Sequence, residues 1–281
     1  MIRDNGLASR LWRFAIWAVV VLFVLNLLGV IIAVVVNSLS TRWLGTWLPI
    51  GWTTHWYVDA WREFQLTPVL IVTFEIVFAV VIISGLVGVT TAYALARRDF
   101  PGKRLMVLIF LLPLLLPPLT YGIPLATVLY RLGVGGTFWG VVLANLVPAI
   151  PFVVLVMIPF IEQIDPRIEQ AARVFGAPTT SLFVRILLPL LLPGMLAALL
   201  LVLVRTLAMF ELTFLTAGPT SQTLVVSLYY AVFASGVRAS QSIDAMAVVY
   251  MVTTLFWLII ALQFVNPTQI VARAKQQPAN S

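Results

Sequence analysis

Long apolar runs separated by short polar segments dominate the chain. A helix needs about 20 apolar residues to cross the hydrocarbon core of a bilayer, and six runs reach that length. The predicted spans are Phe14–Val36, Pro68–Ala96, Leu105–Tyr130, Phe138–Ile161, Ile186–Thr206 (with an extension to Ala217 left open) and Ala245–Val265. The pattern therefore predicts an all-α polytopic membrane protein with six transmembrane helices.

The composition supports a membrane protein. Of 281 residues, 62% are hydrophobic and 10% are charged, whereas soluble domains carry roughly 25% charged residues. The length would allow two soluble domains, but this composition favours one polytopic unit. The net charge of +7 comes from cations beside the apolar runs, so it indicates topology rather than nucleic-acid binding. We expect membrane lipid, and no nucleic acid, around the protein.

The residue types available for catalysis are few. The absence of cysteine excludes disulfides and thiolate metal sites, and the single histidine, His55, cannot form a histidine cluster alone. We therefore expect no metal site. An enzyme within the membrane would need clustered catalytic groups in its spans, and the sequence has none at a metal-binding spacing.

The first apolar run follows Arg3, Arg10 and Arg13. A secretory signal peptide also begins with cations, but this run is longer than its apolar region, and no small-x-small cleavage site follows promptly. We interpret the run as a retained signal anchor.

Lys and Arg are distributed unequally between the two sides. With a cytoplasmic N-terminus, 12 of the 17 lie on the cytoplasmic side, four lie outside and Arg205 falls within a span. Cytoplasmic loops carry the excess of positive residues, so both termini are predicted to be cytoplasmic in a multi-pass protein.

The predicted outside segment, residues 37–67, is rich in aromatic side chains. It contains Trp43, Trp47, Trp52, Trp56, Tyr57 and Trp61. Trp and Tyr rings favour the headgroup level of the bilayer, so an interfacial segment is one interpretation. A platform that stacks on a sugar is the other.

The longest predicted cytoplasmic loop has helix signals of its own. Pro166 suits a helix start, "RIEQAARVF" is a good helix former, Gly176 can end the helix and Pro178 can begin the next. Residues 162–185 are therefore predicted to form a helix–Gly–helix unit with small residues where a partner could approach.

This unit resembles a known motif. The pattern Gln170-Ala171-Ala172, Gly176, Ile186, Leu188 and Pro189 is similar to the EAA motif of the permeases of bacterial binding-protein-dependent ABC importers. The leading Glu of the motif aligns with Gln170, and Glu169 lies one place earlier. The span pattern from Pro68 to Val265 resembles the five-helix core of that family with one added N-terminal helix, and "GPTSQTLVVSLYYAVF" resembles its outside loop.

The resemblance implies a coupling mechanism. In the family, the EAA loop forms a helix that docks on a dimer of a separate ABC ATPase subunit, which binds ATP and Mg. This chain lacks G-x-x-x-x-G-K-[ST], so it is expected to bind no cofactor and to have no ATPase site. The residues that the resemblance implies in coupling are Glu169, Gln170, Ala171, Ala172, Arg173, Gly176, Ile186 and Pro189.

The resemblance also implies partners, a location and a division of the chain. A second permease subunit would complete the pathway, and an extracytoplasmic solute-binding protein would deliver the solute at the bacterial inner membrane. The expected regions are residues 1–66 (anchor helix and interfacial segment), 67–270 (permease domain) and 271–281 (cytoplasmic tail). Arg238, Gln241 and Asp244 could contact the binding protein or form a solvated surface.

Three charged residues, Glu75, Arg205 and Glu211, fall in or near the apolar spans. Either an acid pairs with Arg205 and fixes the helix packing, or one of the three lines the pathway. Tyr121, Asn145, Tyr229 and Tyr230 are further candidates, each with packing as the alternative. The resemblance suggests a sugar, polyol or polyamine solute, and an exposed acid would suit a cation.

An ion-driven secondary transporter is the alternative function. Such transporters often contain inverted repeats with interrupted spans in corresponding halves. No internal symmetry of that kind is visible here, so the sequence favours the importer permease.

Overall fold

The computed structural model describes residues 7–43, 45–233 and 239–264. Twelve α-helices and one π-helical turn, Phe183–Leu187, occur in the described residues. The α-helices are α1 (Leu7–Ser38), α2 (His55–Glu63), α3 (Leu66–Arg97), α4 (Lys103–Leu115), α5 (Pro118–Arg131), α6 (Phe138–Glu162), α7 (Pro166–Val174), α8 (Thr179–Leu182), α9 (Leu188–Leu207), α10 (Glu211–Thr216), α11 (Leu224–Phe233) and α12 (Ser240–Phe264). The prediction of an all-α fold is confirmed.

Within the described residues, five helices are long and apolar enough to span a membrane. They are Leu11–Ser38, Leu66–Arg97, Phe138–Glu162, Thr179–Leu207 and Ser240–Gln263. The predicted third span, Leu105–Tyr130, is not one straight helix. Instead, α4 and α5 meet at an angle of 101°, so the count reaches six only when this bent pair is taken as one span.

The bend between α4 and α5 has a local cause. Leu116 and Pro117 are both extended, with ψ angles of 142° and 135°. A proline disfavours helical backbone in the residue before it, and both Leu116 and Pro117 precede a proline. The Leu116-Pro117-Pro118 sequence therefore ends α4 and starts a new helix in another direction.

The fifth span, predicted as Ile186–Thr206 with an extension to Ala217 left open, runs from Thr179 to Leu207 in the structure. The helical segment runs from Thr179 through the π-helical turn into α9 and ends at Leu207. Pro189 has no N–H to donate to the carbonyl of Arg185. The π-helical turn, Phe183–Leu187, contains this carbonyl. The extension to Ala217 is wrong, because α10 is a separate helix.

The core that positions the site is formed by α3, α6 and α9, which pack against one another. Gly88 of α3 permits a close approach, because a Cβ atom there would lie 2.7 Å from the side chain of Val153 in α6. Small residues allow the backbones of membrane helices to approach closely. The buried side chains around this contact include Val80, Ala92, Val142, Val154, Met157 and Ala198.

The chain divides into two compact units, residues 1–65 with 231–250, and residues 66–230 with 251–281. In the first unit, Asn37 donates a hydrogen bond of 2.6 Å to Asp244, and Trp56 donates one of 2.7 Å to the carbonyl of Ser40. Asp244 is thus half-buried rather than a freely exposed contact for a binding protein, and Gln241 is also half-buried. Arg238 and the predicted tail at 271–281 lie outside the described residues. The predicted division into three regions stays a prediction.

Candidate functional site

The predicted cytoplasmic helix is present as α7. The Asp165 carboxylate accepts a hydrogen bond from the backbone N–H of Arg167 at 2.9 Å, and Pro166 occupies the first helical position. At the other end, Gly176 has a φ of +78°, and its N–H bonds the carbonyl of Arg173 at 2.9 Å. Side-chain caps and left-handed glycines are the common ends of helices. The predicted helix–Gly–helix unit is confirmed, with α8 following Pro178.

Glu169 joins α7 to the end of α3. Its carboxylate accepts hydrogen bonds from Arg97 Nε at 2.7 Å and from the Tyr93 hydroxyl at 2.6 Å. Arg97 also donates through Nη2 to the carbonyl of Ile164 at 2.7 Å. Charge-assisted bonds of this kind are roughly twice as strong as neutral ones. Three separate segments therefore meet at one ionic contact.

The Glu169 carboxylate is bonded to residues of this chain. Only 7% of the Glu169 surface is exposed, and its contacts with Tyr93 and Arg97 hold α7 against the end of α3. The predicted part of Glu169 in coupling to an ATPase stays a prediction. Tyr93 and Arg97 were missed as site residues, because nothing in the local pattern distinguishes Arg97 from a cation that ends a span.

The small residues of the motif face in different directions. Ala172 is half-buried and packs against the core cluster, and its predicted part in docking stays a prediction. Gln170, Ala171, Arg173 and Gly176 are exposed. The large apolar side chains of Val174 and Phe175 are 86% and 90% exposed. The outer surface of α7, defined by Gln170, Ala171, Arg173, Val174 and Phe175, is therefore open to a partner.

Ile186 and Pro189 lie beyond this surface. Ile186 belongs to the π-helical turn and packs against the core cluster, whereas Pro189 is exposed in the first turn of α9. Their predicted part in coupling stays a prediction. Ile186 contacts the permease core directly, and this contact connects the loop with the core.

Arg205 is half-buried near the end of α9. Its Cζ atom is 5.6 Å from the centroid of the Phe152 ring, which is a cation–π distance. Among the described residues, no carboxylate oxygen lies within 4 Å of its guanidinium. The prediction that Glu75 or Glu211 pairs directly with Arg205 is therefore wrong for this chain. A charge in the bilayer centre costs at least about 2.5–3.5 kcal/mol.

The other predicted polar residues take separate positions. Asn145 is buried and donates to the Val141 carbonyl at 2.9 Å and to Thr213 at 3.3 Å, so it ties α6 to α10.

The Tyr121 hydroxyl is buried without a hydrogen-bond partner in the described residues. Tyr121 interacts electrostatically with both Arg205 and Glu211. Glu75 is exposed on α3.

Tyr229 and Tyr230 belong to an aromatic cluster with Phe210 and Phe214. The Tyr229 ring lies 5.0 Å from Phe210 and 5.2 Å from Phe214, and Tyr230 lies 5.9 Å from Phe214. Aromatic rings stabilise one another at such centroid distances. Packing, one of the two alternatives for these tyrosines, is thus observed. No group of three or more metal-ligating side chains occurs in the part of the chain that the structure describes.

Comparisons with known proteins agree with this architecture. The chain is 28% identical over 254 residues to the spermidine/putrescine transport system permease protein PotC of Escherichia coli, covering 87% of this chain and 89% of that protein. It is 38% identical over 159 residues to the molybdenum transport system permease protein ModB of Haemophilus influenzae, covering 50% and 69%.

A third relative is matched less completely. The chain is 32% identical over 195 residues to the sulfate transport system permease protein CysT of Synechococcus elongatus, and the match covers 63% of each chain. The matched region is therefore less than two thirds of that relative's length.

A solved structure has the same fold. A chain of a bacterial ABC transporter involved in the import of the acidic polysaccharide alginate superposes with a TM-score of 0.75 at 17% identity, covering 94% of this chain and all of that one. Residues 64–270 match the family model described as "Binding-protein-dependent transport system inner membrane component". The chain thus belongs to the family of inner-membrane permease components of binding-protein-dependent ABC importers.

Proposed function

We propose that this chain is a permease subunit of an ATP-driven importer, that it forms half of the solute pathway, and that α7 couples it to a separate ATPase. The observation that carries the coupling is the contact of Glu169 with Arg97 and Tyr93. A helix that only reversed the chain would not need a buried ionic contact to the end of a spanning helix. Such a contact transmits a displacement of α7 to α3.

The outer surface of α7 fits a protein partner. Val174 and Phe175 expose large apolar side chains, and Arg173 adds a positive charge beside them. Exposed apolar groups with a polar surround are typical of interaction sites. The proposed partner is the ATPase dimer, which would hold ATP and Mg while this chain binds neither.

The remaining partners follow from the family. A second permease subunit would complete the pathway, an extracytoplasmic binding protein would deliver the solute, and both termini would be cytoplasmic. The relatives carry names with sulfate, molybdenum and spermidine/putrescine, so they do not select one substrate. The proposed solute is small and polar, and the choice among a sugar, a polyol and a polyamine rests only on the family resemblance.

A cross-linking experiment tests the proposal. The chain has no cysteine, so Ala171→Cys, on the exposed side of α7, can be paired with single cysteines on the ATPase. Ala172→Cys is the matched control, because its side chain faces the core. We expect a higher cross-linking yield at residue 171 than at residue 172, and a yield that changes when ATP is added.

One outcome would contradict the proposal of an ATP-driven importer. Absence of a cross-link in an intact, membrane-inserted complex, with uptake that ignores ATP depletion but stops with an ionophore, would favour the ion-driven transporter.

A further inference from the structure

The Arg205 side chain carries its charge to the middle of the bundle. Phe152, the ring that it contacts, lies 14 residues after the start of α6 and 10 residues before its end. At 1.5 Å per residue, these separations are about 21 Å and about 15 Å along the helix. The guanidinium therefore does not reach the level of either end of α6, as a cation that extends to the headgroups would.

This charge is not balanced by a direct contact within the described part of the chain. The guanidinium has five N–H donors, and neither an ion pair nor a hydrogen bond to the described residues is formed by any of them. Glu211, the nearest candidate along the chain, lies beyond 4 Å. Among the described residues, no carboxylate therefore acts as a direct partner of this half-buried cation.

A second unused donor lies in α5. The hydroxyl of Tyr121 is buried and has no hydrogen-bond partner among the described residues, and the charges of both Arg205 and Glu211 act on it. Buried polar groups normally find a partner. A guanidinium and a hydroxyl that are both unused form a donor set that suits an oxygen anion.

The cation also borders a cleft. Besides Arg205, its lining includes the polar residues Asn145 and Thr206 and the apolar residues Pro148 and Met209. It has about 10 Å³ of water-sized space, which is room for about one water molecule. A solute would enter only when the surrounding helices separate, as alternating access requires.

We propose that Arg205 is an anion-binding residue of the pathway, assisted by Tyr121, and that the transported solute carries a carboxylate or another oxyanion group. This inference rests on the proposed function, since it assumes that the bundle contains a solute pathway. It separates the solute from a polyamine, because a polycation would be repelled by a guanidinium that has no carboxylate within 4 Å among the described residues.

The test measures the charge of the site without needing the solute. Met209→Cys places a thiol on the same cleft, four residues after Arg205 and just beyond the end of α9. The full complex, with the cysteines of its other subunits replaced, is labelled with an anionic reagent (sulfonatoethyl methanethiosulfonate) and a cationic one (trimethylammonium-ethyl methanethiosulfonate). The ratio of the anionic rate to the cationic rate is compared in Arg205, Arg205→Lys and Arg205→Gln backgrounds.

We expect the ratio to fall about tenfold in Arg205→Gln, because loss of the cation slows labelling by the anionic reagent and speeds labelling by the cationic one. The ratio should be largely kept in Arg205→Lys, which retains the positive charge. Thr220→Cys, at an exposed position in the loop after α10, is the control whose ratio should not depend on residue 205.

Three results would overturn the inference. An unchanged ratio for the thiol of the Met209→Cys variant, or no labelling of that thiol by either reagent, would mean that the cation is neutralised or closed to solute. Loss of assembly in Arg205→Gln that Arg205→Lys restores would assign the missing carboxylate to the second permease subunit. The proposed function has a separate readout, which is whether ATP and vanadate change the labelling rates. A failure of the proposed function can therefore be distinguished from a failure of the anion-binding inference.

Discussion

Arg97 Nε of α3 donates to the Glu169 carboxylate of α7 at 2.7 Å, although 72 residues separate the two in sequence. Both side chains are largely buried, with 13% and 9% of their surfaces exposed. The contact places the only acid of α7 against a spanning helix rather than toward a partner. It explains how a short helix outside the membrane could move with the permease core.

Glu169→Ala should uncouple transport from ATP hydrolysis. Removing one partner of a buried ion pair leaves the other charge uncompensated and costs about 3–5 kcal/mol, so α7 should lose its fixed position on α3. We expect uptake in a complemented deletion strain to be abolished while the protein still inserts. Gln170→Ala, an exposed neighbour, is the control and should keep uptake.

A double variant separates the contact from the charge. Arg97→Gln with Glu169→Gln removes both charges together, and we expect more uptake than either single variant gives, because no unpaired charge remains. If the double variant were as inactive as the sum of the singles, the two residues would not act through each other.

Substitutions of Gly176 should distinguish backbone strain from bulk. Its φ of +78° disfavours side chains, and no atom lies within 4 Å of where a Cβ would be. A left-handed conformation costs a non-glycine residue roughly 1–2 kcal/mol, and Asn tolerates it best. We expect uptake to follow the order Gly176, Asn, Ala and Arg, with insertion unchanged on immunoblots. Equal loss in Ala and Arg would refute a contribution of bulk at a docking surface.

Gly88→Ala should destabilise the contact of α3 with α6. The added methyl group would lie 2.7 Å from Val153, and overpacking of a tight core costs about 1–3 kcal/mol. We expect a lower midpoint of thermal inactivation for the purified complex. Gly29→Ala, in α1, has nothing within 4 Å of the new atom and is the matched control. In a Val153→Gly background, which lacks both the Cβ and the Cγ1 atoms at 2.7 Å, Gly88→Ala should lower the midpoint less, and an equal loss in both backgrounds would contradict the mechanism.

Tyr121→Phe removes a buried hydroxyl that has no partner in the described residues. Loss of an unsatisfied polar group should leave stability unchanged or raise it by about 1 kcal/mol. If the hydroxyl assists Arg205 in binding an anion, the concentration for half-maximal uptake should rise at the same time. Tyr130→Phe, at an exposed ring of α5, should change neither. Unaltered uptake in Tyr121→Phe would remove this residue from the pathway.

Local signals in the sequence were sufficient for much of the fold. Apolar runs of about 20 residues predict spanning helices because each such helix satisfies its own backbone hydrogen bonds. The signals that start and end α7, Asp165-Pro166 and Gly176, likewise lie within a few residues of the helix ends that they determine. The bend at Leu116-Pro117-Pro118 also has a local cause, but a continuous apolar run obscured it.

The sequence by itself determined the helices, the helix–Gly–helix unit and the resemblance to importer permeases, because these depend on short-range patterns. Only the tertiary structure decided that Glu169 faces Arg97, that Ala172 faces the core and that Arg205 lies over Phe152 without a carboxylate beside it. Each of these facts depends on which distant helices pack together and with what rotation. The spacing of apolar and polar positions normally shows which side of a helix faces the core. In a helix where nearly every position is apolar, this spacing says little about the rotation of the helix or about which helix it packs against.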